Sequence, residues 1–113
     1  MILILDDDHE FIATVRDVLL KIGIDVFATT DPFEAIGILR TNKISKVVAD
    51  FHMPSMDGIE FFENVKQIDP KIKRIILTGY SDNAYLEKAL KEEVVNSVAF
   101  KPIDRRGLIE LIS

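Results

Sequence analysis

Short apolar runs alternate with amphipathic ones along the whole chain, and this alternation leaves few folds open. Ile2–Leu5, DVFATT, KVVAD, RIILT and SVAF read as five strands. Their interiors are nearly all apolar, as suits a sheet buried on both faces. The segments between them have helical spacing. Phe11, Ile12, Val15, Val18, Leu19 and Ile22 recur every three or four residues, and Gly23 is placed to end that helix. Asp31 and Pro32 read as an N-cap and a first-turn proline, opening a helix with Phe33, Ile36 and Leu39 on one face. MDGIEFFENVKQI is a third helix, with Ile59, Phe62, Val65 and Ile68 inward and a stop near Pro70. A fourth is expected from about Asn83 to Glu93 with Ser81 or Asp82 as its cap. A fifth, capped by Asp104, carries Leu108, Ile109 and Ile112. Alternating strands and helices imply crossover connections and a parallel sheet covered on both faces, which is the α/β class.

The chain has 113 residues, enough for one compact domain spanning 1–113. The last helix is short, and its apolar pattern still runs at Ser113, which is what a piece of a longer protein would show. The net charge of −5 and the interleaved acids give no clustered basic face for nucleic acid. There is no cysteine, so disulfides, thiolate metal sites and cysteine nucleophiles are excluded. No apolar run reaches a membrane span, and no basic segment precedes the short apolar start, so a cytoplasmic location is expected.

In open sheets of this kind ligands bind beyond the carboxyl ends of the strands. The first strand runs straight into Asp6, Asp7 and Asp8, in the stretch ILILDDDHE. Asp50 follows the third strand, Thr78 the fourth and Lys101 the fifth. Three acids, a hydroxyl and an amine therefore converge on one edge. Adjacent carboxylates raise one another's pKa unless a cation joins them. An all-oxygen set suits a hard divalent cation such as Mg2+, which favours few carboxylates together with phosphate oxygens. Lys101 and Thr78 are suited to other phosphate oxygens, and one carboxylate can serve as a nucleophile toward phosphorus. Asp8, just before the first helix, reads as a cap rather than a ligand.

LILDDD, VVADFHMPSMDG, IILTGYSD and FKP, in this order and spacing, resemble the receiver domain of bacterial two-component response regulators, the CheY-like family. The resemblance covers essentially all of the chain. It implies a doubly wound five-stranded parallel sheet, order 2-1-3-4-5, in a flavodoxin-like three-layer sandwich. It implies that Asp50 accepts a phosphoryl group from the phosphohistidine of a sensor histidine kinase or phosphotransfer protein. Asp7 is then a direct Mg2+ ligand, Asp6 holds a metal-bound water, and Asp50 and the backbone carbonyl of His52 complete the protein's share. Thr78 matches the switch hydroxyl and Lys101 the phosphate-binding lysine, with Pro102 joined through a cis peptide bond. No enzymatic turnover is implied beyond self-phosphotransfer and autodephosphorylation. The fourth helix, fifth strand and fifth helix would form the face for an output domain, partner protein or homodimer.

Two positions depart from the family pattern. Val98 stands three residues before the lysine, where the family has a switch aromatic; the nearest aromatic, Phe100, shares its strand face if alternation holds. His52 and Tyr80, two beyond Asp50 and Thr78, are bulky and are expected to hinder the water that hydrolyses an acyl phosphate. Two other functions stay open. A haloacid-dehalogenase-like phosphatase would use an Asp6-x-Asp8 pair with Asp6 as nucleophile, although His9 and Glu10 follow Asp8 and only Asp104 follows Lys101. A receiver-fold binding module with weak output would account for Val98.

Overall fold

The computed structural model describes residues 1–79 and 84–113. The caps expected at Ser81 or Asp82, and the flanking Tyr80, lie outside the described residues. The strands are β1 (Ile2–Leu5), β2 (Val26–Thr29), β3 (Lys46–Asp50), β4 (Lys73–Thr78) and β5 (Ser97–Phe100). The helices are α1 (His9–Lys21), α2 (Pro32–Thr41), α3 (Gly58–Ile68), α4 (Ala84–Lys91) and α5 (Arg105–Ile112). The strands form one parallel sheet in the order β2-β1-β3-β4-β5.

Alternation along each strand splits the core into two layers. Ile2, Ile4, Val48, Ile75 and Leu77 meet Ile12, Val15 and Leu19 of α1 and Leu108 and Ile112 of α5. Leu3, Leu5, Val47, Ala49 and Ile76 meet α2, α3 and α4 through residues such as Leu39, Phe62 and Leu86. Each central strand thus buries side chains on both faces, which is why these runs lack polar alternation.

Helix ends follow their local chemistry. The carboxylates of Asp8, Asp31, Asp57 and Asp104 each accept from first-turn amides of α1, α2, α3 and α5. Gly23, at φ 77°, lies just past α1 in the left-handed region that glycine enters without strain. The inward face of α2 differs from the expected one. Pro32, Ala35 and Leu39 are buried, whereas Phe33 is 60% exposed. Residues 32, 35 and 39 lie on the sheet side, and Phe33 is turned about 100° away. The small Ala35 carried too little hydrophobic weight to reveal this.

The fourth helix is also shorter than expected. After Lys91 the chain turns at Glu93, whose φ of 58° ends helical geometry. Val94 N–H then donates back to Ala89 at 2.9 Å, closing a Schellman-type end with Glu93 where glycine is usual. Among the described residues no helix is long and apolar enough to cross a membrane.

Candidate metal and phosphoryl site

β1 lies between β2 and β3, so the crevice at the carboxyl ends of β1 and β3 is the sheet's switch point. Asp6 leaves β1 there, and Asp50 is the last residue of β3. Leu5 pairs with Ala49, which brings the two acids to the same level. Carboxylate oxygens of Asp6, Asp7 and Asp50 all lie within 4.8 Å of one another. Asp6 and Asp50 are buried and Asp7 is exposed, so the cluster has two walls and an open side. The His52 ring is not part of this group; His52 is exposed and packs edge-on against Phe51 at 4.7 Å.

The cis bond between Lys101 and Pro102 follows β5 as expected. Lys101 N–H donates to the Thr78 carbonyl at 2.8 Å. Its ammonium donates to Asp6 Oδ2 at 2.7 Å and stands 3.5 Å from Asp50 Oδ1. Thr78, fully buried, ends β4 one residue past the Asp50–Leu77 pair. All six residues singled out by sequence therefore reach this edge, with His52 in the loop after Asp50.

Charge in the cluster is only partly balanced. Burial, followed by the negative charge of Asp6, pushes the Asp50 carboxyl up to about 6; Lys101 opposes this and Asp7 adds to it. Burial pushes the Lys101 ammonium down. The hydrogen bond it donates to Asp6 and the charges of Asp6 and Asp50 outweigh that, holding it above its ordinary value. The donors are all oxygens, they converge, and their charge exceeds what one lysine offsets. This set fits a hard divalent cation.

Three contributors escaped the sequence reading. Gly58 opens α3 against the strand, and a Cβ there would lie 2.5 Å from the Asp50 carbonyl oxygen and 2.7 Å from Ile76 Cδ1. The glycine in MDG carried that signal. Phe11 has the helical spacing of a core residue, yet its ring faces Lys101. Tyr85 of α4 meets Phe51 edge-on at 6.1 Å, bringing an aromatic of α4 to the residue after Asp50. Asp8 caps α1, as expected. Val98 packs against the α2–α4 layer, and Phe100 is 51% exposed.

Fold and edge together define a doubly wound α/β domain with an acidic cluster and one lysine at its switch point. The chain belongs to the response regulator receiver domain family, whose profile matches residues 2–113. It is 30% identical over 103 residues to the sporulation initiation phosphotransferase F of Bacillus subtilis, covering 91% of this chain and 82% of that protein. It is 26% identical over 109 residues to the C4-dicarboxylate transport transcriptional regulatory protein DctD of Rhizobium meliloti. That match covers 96% of this chain but only 24% of the regulator. Among solved structures, a CheY-like response regulator receiver domain protein of Methanospirillum hungatei superposes with a TM-score of 0.89 at 25% identity. The superposition covers 98% of this chain and 88% of that one.

Proposed function

We propose that this receiver domain takes a phosphoryl group onto Asp50 from the phosphohistidine of a histidine kinase or phosphotransfer protein, in a Mg2+-dependent reaction. The observation that carries the reading is the meeting of Asp6, Asp7 and Asp50 within 4.8 Å, with Lys101 against two of them. A carboxylate oxygen of Asp50 attacks phosphorus. The new O–P bond forms as the P–N bond breaks, and its electron pair returns to the imidazole nitrogen. Asp6, Asp7, Asp50 and the carbonyl of His52 would hold Mg2+, which supplies positive charge for the phosphoryl oxygens. Lys101 moves its ammonium from Asp6 toward the arriving phosphoryl group, and the Thr78 hydroxyl donates to another oxygen. The acyl phosphate so formed shifts the domain's conformation and ends by autodephosphorylation rather than by turnover of a second substrate. On this reading the exchange takes place in the cytoplasm and the α4–β5–α5 face serves an output domain, partner or second copy, which the family resemblance supports.

The phosphatase alternative is disfavoured by Asp6 and Asp8. Asp6 Oδ1 accepts from Asp8 N–H and Oδ2 from Lys101, while the Asp8 carboxylate is spent on the α1 cap. The weak-output alternative draws on Val98, a side chain too small to act as an aromatic switch.

Labelling with acetyl phosphate and Mg2+ tests these readings together. Wild type should form an acid-stable, hydroxylamine-sensitive phosphoprotein that Asp50→Asn does not. Labelling lost in Asp6→Asn but kept in Asp50→Asn would support the phosphatase. Absence of any label on wild type would favour the inert module.

A further inference from the structure

Four contacts close a ring around the edge of the site. Asp8 N–H donates to Asp6 Oδ1 at 3.0 Å. Asp8 Oδ1 accepts from Phe11 N–H at 3.2 Å. The Phe11 ring lies under the Lys101 ammonium, 5.1 Å from nitrogen to ring centroid. Lys101 returns to Asp6 Oδ2 at 2.7 Å. The third acid of the triplet thus fixes the first turn of α1, and that turn presents an aromatic face to the site's cation.

Lysine is a flexible stem ending in a compact charge, so its position must be set by what surrounds the nitrogen. Asp6 and Asp50 attract it from one side. A ring face within about 6 Å attracts a cation through its quadrupole, more strongly where water is partly excluded. Lys101 is only partly exposed, and Phe11 is half-buried against the α1–α5 layer. The ring also offers no hydrogen bond that would hold the ammonium back from an arriving phosphoryl oxygen.

We infer that Phe11, held by the Asp8 cap, is a positioning residue for Lys101 that keeps its ammonium over the Asp6–Asp50 pair. The inference rests on the phosphoacceptor reading for its effect on rate, but the placement of Lys101 stands by itself. Phe11→Leu keeps an apolar body without the π face, and Phe11→Tyr restores the face. With acetyl phosphate and Mg2+, Phe11→Leu should label roughly three- to ten-fold more slowly while Phe11→Tyr stays within about two-fold of wild type. In a Lys101→Met background the Phe11→Leu change should cost no further rate. Proton NMR supplies a readout independent of labelling. The Lys101 ε-methylene protons should be ring-current shifted upfield in wild type and Phe11→Tyr, and return toward solvent-exposed values in Phe11→Leu. Wild-type rate and unmoved Lys101 signals in Phe11→Leu, or a Phe11→Tyr variant as slow as Phe11→Leu, would overturn the inference. If wild type takes no label, the phosphoacceptor reading fails, and the Lys101 signals alone decide the role of Phe11.

Discussion

The Lys101 ammonium sits 2.7 Å from Asp6 and 3.5 Å from Asp50, so without metal it is shared unequally between two buried acids. Removing it leaves Asp6 buried with its main positive partner gone. Because Lys101 keeps part of its surface in water, the penalty is below that of a fully buried pair. Lys101→Met should cost about 1–3 kcal/mol of unfolding free energy in metal-free buffer, read by urea denaturation. Added Mg2+ should narrow the gap from wild type, since a divalent charge among Asp6, Asp7 and Asp50 replaces the one removed. A gap that Mg2+ leaves unchanged would mean that no cation binds at this cluster.

The raised Asp50 pKa makes stability pH-dependent with a defined sign. Its carboxyl titrates near 6 in the fold against an ordinary value of 3.8. The folded state therefore binds this proton more tightly than the unfolded chain does. Its stabilising contribution is complete below about pH 3.8 and is lost as pH rises through about 6. Asp50→Asn cannot ionise and escapes that loss. Relative to wild type it should gain about 1–2 kcal/mol between pH 4 and 7, after allowing for solvent screening. Parallel denaturation series at several pH values without divalent ions would measure this. Saturating Mg2+ should reverse the order at neutral pH, because it stabilises the carboxylate that asparagine lacks.

Much of this organisation was legible in the sequence because two independent signals agreed. Uniformly apolar runs such as Ile2–Leu5 and RIILT marked strands covered on both faces, and acids such as Asp31 and Asp104 marked helix starts. Once those elements alternate, the ends of β1, β3, β4 and β5 must share one edge, which gathers Asp6, Asp50, Thr78 and Lys101. What escaped depended on direction within an element. Phe33 and Ala35 lie on nearly opposite sides of α2, and only packing shows that the side with the smaller residue is inside. Phe11 has the spacing of a core residue, and nothing in that spacing says its ring also meets a lysine ninety positions on. Gly58 looks like an ordinary helix-start glycine until the Asp50 carbonyl is placed against it.

That close approach makes Gly58 a sensitive position. The Cβ of Gly58→Ala would fall 2.5 Å from a backbone oxygen that β3 holds in place. The start of α3 must therefore move away from the strand, and Ile76 must give way as well. A loss of about 1–3 kcal/mol is expected from such overpacking. The displaced segment closes the loop after Asp50, the proposed phosphoacceptor, so on that reading labelling by acetyl phosphate should slow more than it does in a surface variant of matched stability. Thermal melting and labelling rates measured side by side would check this. An alanine variant that melts and labels as wild type does would show that α3 is free to shift.

At the opposite edge of the sheet, Arg74 is buried with its guanidinium among backbone carbonyls. It donates to Glu93 and Val94 at 2.8 Å each, and to Pro70 at 3.0 Å and Ile72 at 2.8 Å. Two of these carbonyls belong to the turn that ends α4, where Glu93 holds a left-handed φ of 58°. A non-glycine residue in that region costs roughly 1 kcal/mol, and the Arg74 bonds help to offset it. Glu93→Gly should therefore stabilise the domain by about 0.5–1 kcal/mol, since glycine takes the same φ without strain. Arg74→Met should cost about 2–4 kcal/mol by leaving several carbonyls unsatisfied. The loss should appear first as faster amide hydrogen exchange between Glu92 and Asn96. Adding Glu93→Gly to Arg74→Met should restore part of that protection. If the two substitutions are strictly additive in denaturation and exchange, Arg74 does not hold the turn, and the C-terminal end of α4 is fixed by the apolar packing of Ala89 and Val95 alone.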